Sequence, residues 1–562
     1  MKFSQVIYTR PDMDKLRRQA GQAADAIRNA SCAEEAEKAY LAWDDIAAGY
    51  STQMSICYIR HSVNTEDKYY SDEEEFFDEN SPVFTEMNED IAKALAESPF
   101  RPELEKRFSK VLFTNTDMFL RSFSPAAVPF MQQDNKLISE YEKLIASAQI
   151  DFEGEKRTIS QLAPFKQSPD DDLRRRAWEA EAGFYMEHSD DLDRIYDQMV
   201  KVRTDEAKAL GFENYIPLAY LNMTRNCYDA DDIARFREDV VRYIVPIADR
   251  LYREQADRTG SAYPLKYSDT SLRYRDGNAK PCGTPEEILA AGSRFYHSLS
   301  PETGRFFDFM MENELMDVYS RKGKMQGGYC TELPSLECPF IFANFNGTQG
   351  DVEVVTHEAG HAFAAYVNRR QRPTDTMLPT IEACEIHSMT MEFFAYSASA
   401  DFFGKDAEKF RQTHLTDALQ FIPYGTMVDH FQHIVYEHPE LTPSERIDRW
   451  KELTAVYMPW IDLDGSSFWG EGRAWQRQGH IYERPFYYID YCLAQTVALE
   501  FWVLMQSDRK DAFDRYYKLV SLGGRETFRG LVSAAGLDDP FGGALRTVAE
   551  KAFETLCGSC GR

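Results

Sequence analysis

Long apolar runs are missing from this 562-residue sequence, in which no stretch approaches the roughly 20 apolar residues of a membrane span. The first residues, MKFSQVIYTRPDMDKLRRQA, also lack an apolar segment of signal-peptide length. Cysteine is sparse, with 10 residues scattered along the chain, and without an export signal we expect thiols and not disulfides. These absences predict a cytoplasmic protein with no membrane partner.

Positively charged residues are fewer than negatively charged ones: the chain has 64 Lys and Arg and 92 Asp and Glu, which give a net charge of −28. Such a surface repels phosphate backbones, which argues against a nucleic-acid partner. An excess of acidic residues also keeps a protein soluble, and this general effect explains the net charge without any specific ligand. The hydrophobic content of 43% is ordinary for a folded globular protein.

Strand-forming segments are few, and helical periodicity dominates the sequence. Residues 12–28, 133–148 and 173–210 carry apolar side chains at three- and four-residue spacing, with charges between them. The aromatic run 340–346 is strand-like, and residues 151–160 suggest a second short extended piece with a turn. We therefore predict a mainly α fold with a small β-sheet.

Three helix starts have the pattern of a capping hydroxyl followed by proline: Ser168-Pro169, Thr284-Pro285 and Thr442-Pro443. In the last two, Glu287 and Glu445 follow the cap by three residues, which is the spacing of a capping box. We expect a helix to begin at each of the three prolines.

The segment 356–362 contains a His-Glu-x-x-His motif, formed by His357, Glu358 and His361. Its apolar surroundings predict a helix, on which residues four apart share a face, so both imidazoles can bind one ion. Neutral imidazole nitrogen suits Zn²⁺, which is the predicted cofactor. Glu358 points beside the metal axis, where its carboxylate can take a proton from an activated water as general base. The alternative is an amphipathic helix with two partly buried histidines.

A catalytic zinc site takes three protein ligands and keeps one position open for water. Segment 380–392 offers four candidates for the third ligand, Glu382, Glu385, His387 and Glu392. Glu385 and Glu392 are seven residues apart and share a helix face, but Glu382 is only three residues from Glu385. Spacing alone leaves the choice open.

These motifs resemble those of the M3 metallopeptidases, which include the thimet-type oligopeptidases and oligoendopeptidase F. The likeness lies in His-Glu-x-Gly-His at 357–361 and in Glu-x-x-Ser-x-x-x-Glu at 385–392. The resemblance implies that Glu385 is the third zinc ligand and that Glu392 orients a ligand imidazole. His387 departs from the small residues that are common at its position in the family.

A later segment, 479–491, is similar to the family's block in which a histidine and tyrosines face the metal. The resemblance implies that His480, Tyr488 and Tyr491 donate hydrogen bonds to the oxyanion formed on the scissile carbonyl. Tyr482 is a weaker candidate for such a donor and is predicted to contact the substrate. Tyr488 and Tyr491 are three residues apart and therefore adjacent on a helix. The alternative is an aromatic stripe in the core.

The resemblance also implies two helical lobes around a deep substrate channel, with zinc on its floor. The length of 562 residues agrees with more than one lobe. We place an N-terminal helical lobe at 1–200 and the catalytic zinc-metallopeptidase region at 201–562. The run 340–347 would then be an edge strand that pairs with the substrate backbone. The substrate-binding residues predicted on this strand are Phe342, Ala343, Asn344 and Gly347.

Three other functions fit parts of the pattern. A di-metal carboxylate bundle needs a second Glu-x-x-His pair, and no other histidine of the sequence follows a glutamate by three residues. A zinc-retaining peptide-binding scaffold has no need of Glu358, and an exopeptidase with the same metal core differs only in its products. We predict a zinc-dependent endopeptidase that hydrolyses internal bonds of short oligopeptides.

Overall fold

The computed structural model of the chain describes residues 2–560, with side chains through residue 557. Helices dominate the architecture, which confirms the predicted mainly α fold. The α-helices, in chain order, are α1 (Met13–Arg28), α2 (Ala33–Val63), α3 (Lys68–Ala96), α4 (Arg101–Arg107), α5 (Lys110–Ser122), α6 (Val128–Ala146), α7 (Ile159–Lys166), α8 (Asp171–Glu187), α9 (Ser189–Ala209), α10 (Tyr215–Asn222), α11 (Ala230–Asp239), α12 (Val245–Thr259), α13 (Tyr267–Thr270), α14 (Pro285–Leu299), α15 (Pro301–Glu312), α16 (Gly350–Asn368), α17 (Ile381–Phe394), α18 (Ser399–Phe403), α19 (Ala407–Glu437), α20 (Pro443–Tyr457), α21 (Gly479–Glu483), α22 (Tyr488–Ser507), α23 (Arg509–Leu522), α24 (Phe528–Ala534) and α25 (Ala544–Cys560).

Two small sheets complete the described fold. The strands are β1 (Ile150–Phe152), β2 (Glu155–Arg157), β3 (Met316–Tyr319), β4 (Tyr329–Leu333) and β5 (Cys338–Phe345). β1 and β2 form an antiparallel hairpin that turns at Gly154, whose φ is 78°, and this confirms the second extended piece. In the other sheet the order is β3-β5-β4, with β5 parallel to β3 and antiparallel to β4.

The prediction that 340–347 forms an edge strand is wrong. β5 is the central strand of its sheet, so its backbone groups pair with β3 on one side and with β4 on the other. The nearly unbroken apolar run of β5 is typical of a strand covered on both faces, and Phe342 and Ala343 have no exposed surface. The outer strand on the side of the predicted site is β4.

Two of the three predicted helix starts, at Thr284 and Thr442, are confirmed by complete capping boxes. The third, at Ser168, is wrong, because α8 begins at Asp171 and Asp170 is its cap. The Asp170 carboxylate accepts from two backbone N–H groups of the first turn, at 3.0 and 3.1 Å. A carboxylate here also interacts favourably with the positive end of the helix dipole, so it competes well against a serine two residues earlier.

α16 and α17 cross at very short range, and this crossing positions the His-Glu-x-x-His motif. A Cβ atom on Gly360 of α16 would lie 2.5 Å from the carbonyl oxygen of His387 and 2.6 Å from the Cα of Ser388, both on α17. Only glycine permits this approach of the two backbones. Tyr516 of α23 donates its hydroxyl to the same His387 carbonyl at 2.8 Å, and β5 packs on another side of α16.

The proposed division of the chain at residue 200 falls inside α9, so a boundary placed there would cut a helix. The assignment of 1–200 and 201–562 to separate lobes therefore stays a prediction. Among residues 2–560, none of the helices combines the length and the apolar character that crossing a membrane requires.

Candidate active site

α16 and α17 bring three potential metal ligands together. His357 and His361 lie one turn apart on α16, and Glu385 projects from the second turn of α17. The Oε2 atom of Glu385 lies 3.3 Å from the Nε2 atom of each imidazole. Within the described part of the chain, this is the one group of three His, Cys, Asp or Glu residues whose ligand atoms all lie within 4.8 Å of one another.

The spacing of these atoms fits a tetrahedral zinc site. With metal–ligand bonds of about 2.0–2.2 Å, two ligand atoms of a tetrahedron lie about 3.4 Å apart. The carboxylate oxygen lies 3.3 Å from both imidazole nitrogens, close to that separation. Two imidazoles and one carboxylate are also among the ligand sets of catalytic zinc. His357, His361 and Glu385 are therefore the residues that can hold the metal.

The electrostatics of the cluster favour bound positive charge. Burial alone would lower the pKa of His357, but hydrogen bonds with Glu385 and Glu392 raise that pKa well above its ordinary value. Burial would raise the pKa of Glu385, but the charge of His361 and the hydrogen bonds with both imidazoles hold it well below its ordinary value. A buried carboxylate that stays ionised between two imidazoles is a suitable ligand for a dication.

Two further hydrogen bonds fix the Glu385 carboxylate. Ser388, one turn along α17, donates its hydroxyl to Oε2 at 2.9 Å. Tyr487, the residue before α22, donates its hydroxyl to Oε1. The carboxylate therefore presents Oε2 to the histidines while Oε1 is held by the phenol. The sequence predictions gave a role to neither residue, although Ser388 is the serine of the Glu-x-x-Ser motif.

His357 is oriented from its other side by Glu392. Its Nδ1 atom donates to Glu392 Oε1 at 2.6 Å, which places the ring proton on Nδ1 and leaves Nε2 to face the ligand cluster. Burial would raise the pKa of Glu392, but hydrogen bonds with His357 and His414 lower it to about 2, so the carboxylate is charged. This is the geometry that the predicted orienting role of Glu392 requires.

A cavity of about 420 Å³ opens over the three ligands, and Glu358 lies in its wall beside them. Burial raises the pKa of the Glu358 carboxyl above its ordinary value, and the two imidazoles offset only part of that rise. Other residues that line the cavity come from β4 and the residue before it, and from the segment between α21 and the start of α22. They are Gly328, Tyr329, Cys330, Glu332, His480, Arg484, Tyr487 and Tyr491.

His480 and Tyr491 form a hydrogen-bonded pair in the wall of this cavity. Gln478 Nε2 donates to His480 Nδ1 at 3.0 Å, and His480 Nε2 lies 3.2 Å from the Tyr491 hydroxyl oxygen. Burial lowers the pKa of His480 to about 4, so the imidazole is neutral with its proton on Nε2. His480 then donates to the hydroxyl oxygen of Tyr491, which keeps its own hydrogen for a different acceptor.

Tyr482 and Tyr488, the other two predicted tyrosines of the late block, are not among the described residues that line the cavity. The Tyr488 ring packs edge-on against Phe421 and Tyr424. The prediction that Tyr482 contacts the substrate is wrong, because its side chain has no exposed surface. The Tyr482 ring stacks on Tyr141 at 4.1 Å, and its hydroxyl donates into the core to a backbone carbonyl. The apolar packing alternative therefore applies to Tyr482.

The substrate-binding residues that were predicted on β5 and in the turn after it also make contacts within the protein. The Ala343 carbonyl accepts from Lys324, and the Asn344 side chain donates to two backbone carbonyls of the loop between β3 and β4. Gly347 has a φ of 83° in the turn after β5, where its N–H donates to Asp351. Phe342 is covered by the ring of Tyr329 and by the Lys324 ammonium. None of these four residues is among the described residues that line the cavity, so their role as substrate contacts stays a prediction, whereas Tyr329, Cys330 and Glu332 of β4 do line it.

The two remaining candidates for the third ligand lie outside the ligand group. Glu382 has no exposed surface, and one of its carboxylate oxygens accepts from Thr380 at 2.8 Å. His387 lines the cavity but is 1% exposed, and burial lowers its pKa to about 3. Neither ring nitrogen of His387 has a hydrogen-bond partner among the described residues.

A two-histidine, one-glutamate cluster with a separate glutamate beside it, in the wall of a cavity, defines the metallopeptidase class of site. Comparisons with known proteins agree with that class. The sequence profile of the peptidase M3 N-terminal domain matches residues 3–123, and the profile of peptidase family M3 matches residues 303–548.

Individual relatives extend the match over the whole chain. A solved structure of PZ peptidase A with an inhibitor shares 46% sequence identity, covers 99% of both chains and superposes with a TM-score of 0.98. Oligopeptidase PepF of Bacillus subtilis is 24% identical over 259 residues, which are 43% of this chain and 37% of that protein. An oligoendopeptidase F homolog of Borreliella burgdorferi is 22% identical over 41% of this chain and 39% of its own length. The matched part thus spans less than half of these two curated relatives.

The chain belongs to peptidase family M3. This membership confirms the predicted resemblance and makes the chain a metalloendopeptidase by class.

Proposed function

We propose that the chain is a zinc-dependent endopeptidase that hydrolyses internal bonds of short oligopeptides. The observation that carries this proposal is the Glu385 carboxylate, 3.3 Å from both imidazoles of the His-Glu-x-x-His motif, with Glu358 beside them in the same cavity. His357, His361 and Glu385 would hold the zinc ion. When bound there, zinc supplies a Lewis acid that polarises a peptide carbonyl and lowers the pKa of a water molecule.

Glu358 acts as the general base in this proposal. It follows His357 directly on α16, so its carboxylate enters the cavity next to the ligands without joining them. There it accepts a proton from the attacking water and later delivers it to the nitrogen of the departing amine. One carboxylate can serve both steps because water and amine occupy neighbouring positions on the same carbon.

Tyr491 and His480 stabilise the negative charge that develops on the carbonyl oxygen. His480 donates to the Tyr491 hydroxyl oxygen at 3.2 Å, which polarises the phenol, and the hydroxyl keeps a hydrogen that it can donate to the substrate carbonyl. A fixed donor of this kind contributes on the order of 3–4 kcal/mol to the transition state. Tyr488 was predicted for the same role, and its ring packs edge-on against the His480 ring. We assign the donor to Tyr491, which lines the cavity.

The substrate would bind in extended form along β4. This strand has a neighbour, β5, on only one side within the described sheet, so part of its backbone N–H and C=O groups point away from the sheet. Gly328, Tyr329, Cys330 and Glu332 line the cavity over the ligands. A peptide that pairs with this edge passes its backbone across the metal site. A cavity of about 420 Å³ is of the size that admits small ligands, which excludes folded proteins.

The test is hydrolysis of an internally quenched peptide that is blocked at both ends. We expect cleavage at an internal bond, its loss on chelation and its recovery when zinc is added back. Glu358→Gln should keep full zinc occupancy and lose about 10²–10⁴-fold in kcat, because it removes the general base but no ligand.

Other outcomes contradict separate parts of the proposal. Cleavage of unblocked peptides alone would indicate an exopeptidase. Zinc binding without any cleavage would favour the peptide-binding scaffold. Full turnover by Glu358→Gln would remove this carboxylate from the mechanism while leaving the metal site intact.

A further inference from the structure

The hydrogen-bond chain that starts at the metal ligand His357 continues beyond Glu392. The second carboxylate oxygen of Glu392 accepts from His414 Nε2 at 2.5 Å. His414 lies in α19 and is 7% exposed. The two oxygens of Glu392 are therefore each bound by a different histidine, one of them in the ligand cluster and the other outside it.

His414 is itself held firmly. Its Nδ1 atom lies 2.7 Å from the hydroxyl oxygen of Tyr396. The rings of Phe393 and Phe410 pack against it, with centroids at 5.1 and 5.6 Å. With both nitrogens hydrogen-bonded and two aromatic rings packed against it, the His414 ring is restricted in orientation and presents Nε2 to Glu392 as a fixed donor.

We propose that His414 is a positioning residue for the metal ligand His357 and acts through Glu392. The inference rests on the proposed function only in that His357 binds a metal. A carboxylate with one donor on each oxygen cannot rotate without breaking a bond. Glu392 thereby keeps Oε1 at 2.6 Å from His357 Nδ1, and the His357 ring stays turned with Nε2 toward Glu385.

Loss of the His414 donor has two consequences for the metal site. The carboxylate oxygen that faced His414 is left buried without a partner, and burying such a charged group without its hydrogen bond is unfavourable. Glu392 can then turn to find another donor, and the orientation of His357 is no longer fixed. Loss of a partner that orients a metal ligand typically weakens metal binding about 10–100-fold.

The experiment measures zinc affinity directly, by competition of the purified full-length chain with a chromophoric chelator. His414→Leu removes the donor and keeps much of the volume, and we expect its zinc affinity to fall about 10-fold or more. His414→Gln places an amide N–H near the position of Nε2, and we expect it to restore affinity to within about threefold of the unmodified chain. His414→Asn places its amide near Nδ1, out of reach of Glu392, and should bind zinc as weakly as the leucine variant.

A matched control exists on the same helix. His430 of α19 bonds to Tyr457 at 3.0 Å and lies outside the ligand cavity and the Glu392 chain. His430→Leu should leave zinc affinity unchanged. Equal affinities for His414→Leu and the unmodified chain would overturn the inference, as would an equal loss in His430→Leu.

The variants also keep the test decisive if one of them does not fold. Circular dichroism identifies a leucine variant that is unfolded, and the glutamine and asparagine variants then decide the question by their difference. Equal zinc affinities for those two would overturn the role of the Glu392 contact. Absence of zinc binding by the unmodified chain would overturn the proposed function and this inference with it.

Discussion

At the scale of single residues, the hydroxyl of Tyr491 is the side-chain donor assigned to the proposed oxyanion. Tyr491→Phe removes the donor and keeps the ring. We expect kcat to fall about 10²-fold, on the order of 3 kcal/mol, with little change in KM, because the bond forms in the transition state. Steady-state kinetics on the end-blocked peptide measure both constants.

Tyr488→Phe is the matched control for that change. The Tyr488 ring packs against Phe421 and Tyr424 and does not line the cavity among the described residues. We expect its kcat to stay within about threefold of the unmodified chain. An equal loss of kcat in both variants would contradict the assignment to Tyr491 and return Tyr488 to the site.

The sequence could not choose among these tyrosines by helical spacing. Tyr487 and Tyr488 lie four and three residues before Tyr491, and both spacings place side chains on one helix face. The choice depends on Tyr487 standing before the first residue of α22, where it reaches Glu385, 102 positions earlier in the chain. By contrast, the motif predicted the two histidines of the ligand group, because four-residue spacing on a helix fixes their relation locally.

At the scale of elements, the crossing of α16 and α17 sets the separation between the histidine ligands and Glu385. Gly360→Ala would place a Cβ atom 2.5 Å from the His387 carbonyl oxygen, and the nearest atoms are backbone that cannot move aside as a side chain does. We expect the free energy of unfolding to fall by about 1–3 kcal/mol or more. Zinc affinity should fall as well, since α16 carries His357 and His361 while α17 carries Glu385.

Gly183→Ala in α8 is the control for this change. Gly183 is also a glycine inside a helix, but no atom lies within 4 Å of a Cβ built there. Alanine at that position should raise stability by about 0.5–1 kcal/mol and leave zinc affinity unchanged. Denaturant unfolding and chelator competition on both variants give the comparison. Unchanged zinc affinity in Gly360→Ala would show that the helix spacing does not set the ligand geometry.

Of the three strands in the sheet β3-β5-β4, only β5 was predicted from the sequence. The aromatic run at 340–346 was predicted as a strand, and it is β5. Its place in the sheet was not predictable, because position depends on β3 and β4, which are short and have little apolar alternation. The outer strand β4 consequently had no signal in the sequence, although it lines the cavity.

At the scale of the whole molecule, the site is assembled from segments that are far apart in the chain. α16 and α17 supply the ligands, β4 supplies one wall, α19 supplies His414, and the residues around α21 and α22 supply His480, Tyr487 and Tyr491. These elements share one continuous core of buried side chains. The ligand geometry is therefore coupled to the folding of most of the catalytic region, so metal binding should be visible in global stability.

Zinc should stabilise the folded chain in a way that depends on pH. A ligand that binds only the native state contributes about 2.7 kcal/mol at 100 times its Kd, which raises the midpoint of thermal unfolding. The metal-free native state carries His357 with a raised pKa, and this proton–carboxylate contact contributes stability that is lost as the pH rises through that pKa. Zinc binds the neutral imidazole and competes with the proton. The stabilisation by zinc should therefore be larger at about pH 8 than at about pH 6.

Differential scanning calorimetry of the chelated and the zinc-loaded chain at both pH values measures this effect. Glu385→Ala is the control, since it lacks a ligand and should show a much smaller shift on zinc addition at either pH. A zinc-induced shift of equal size at the two pH values would contradict the competition between metal and proton at His357. A shift of full size in Glu385→Ala would place the stabilising metal at another position in the chain.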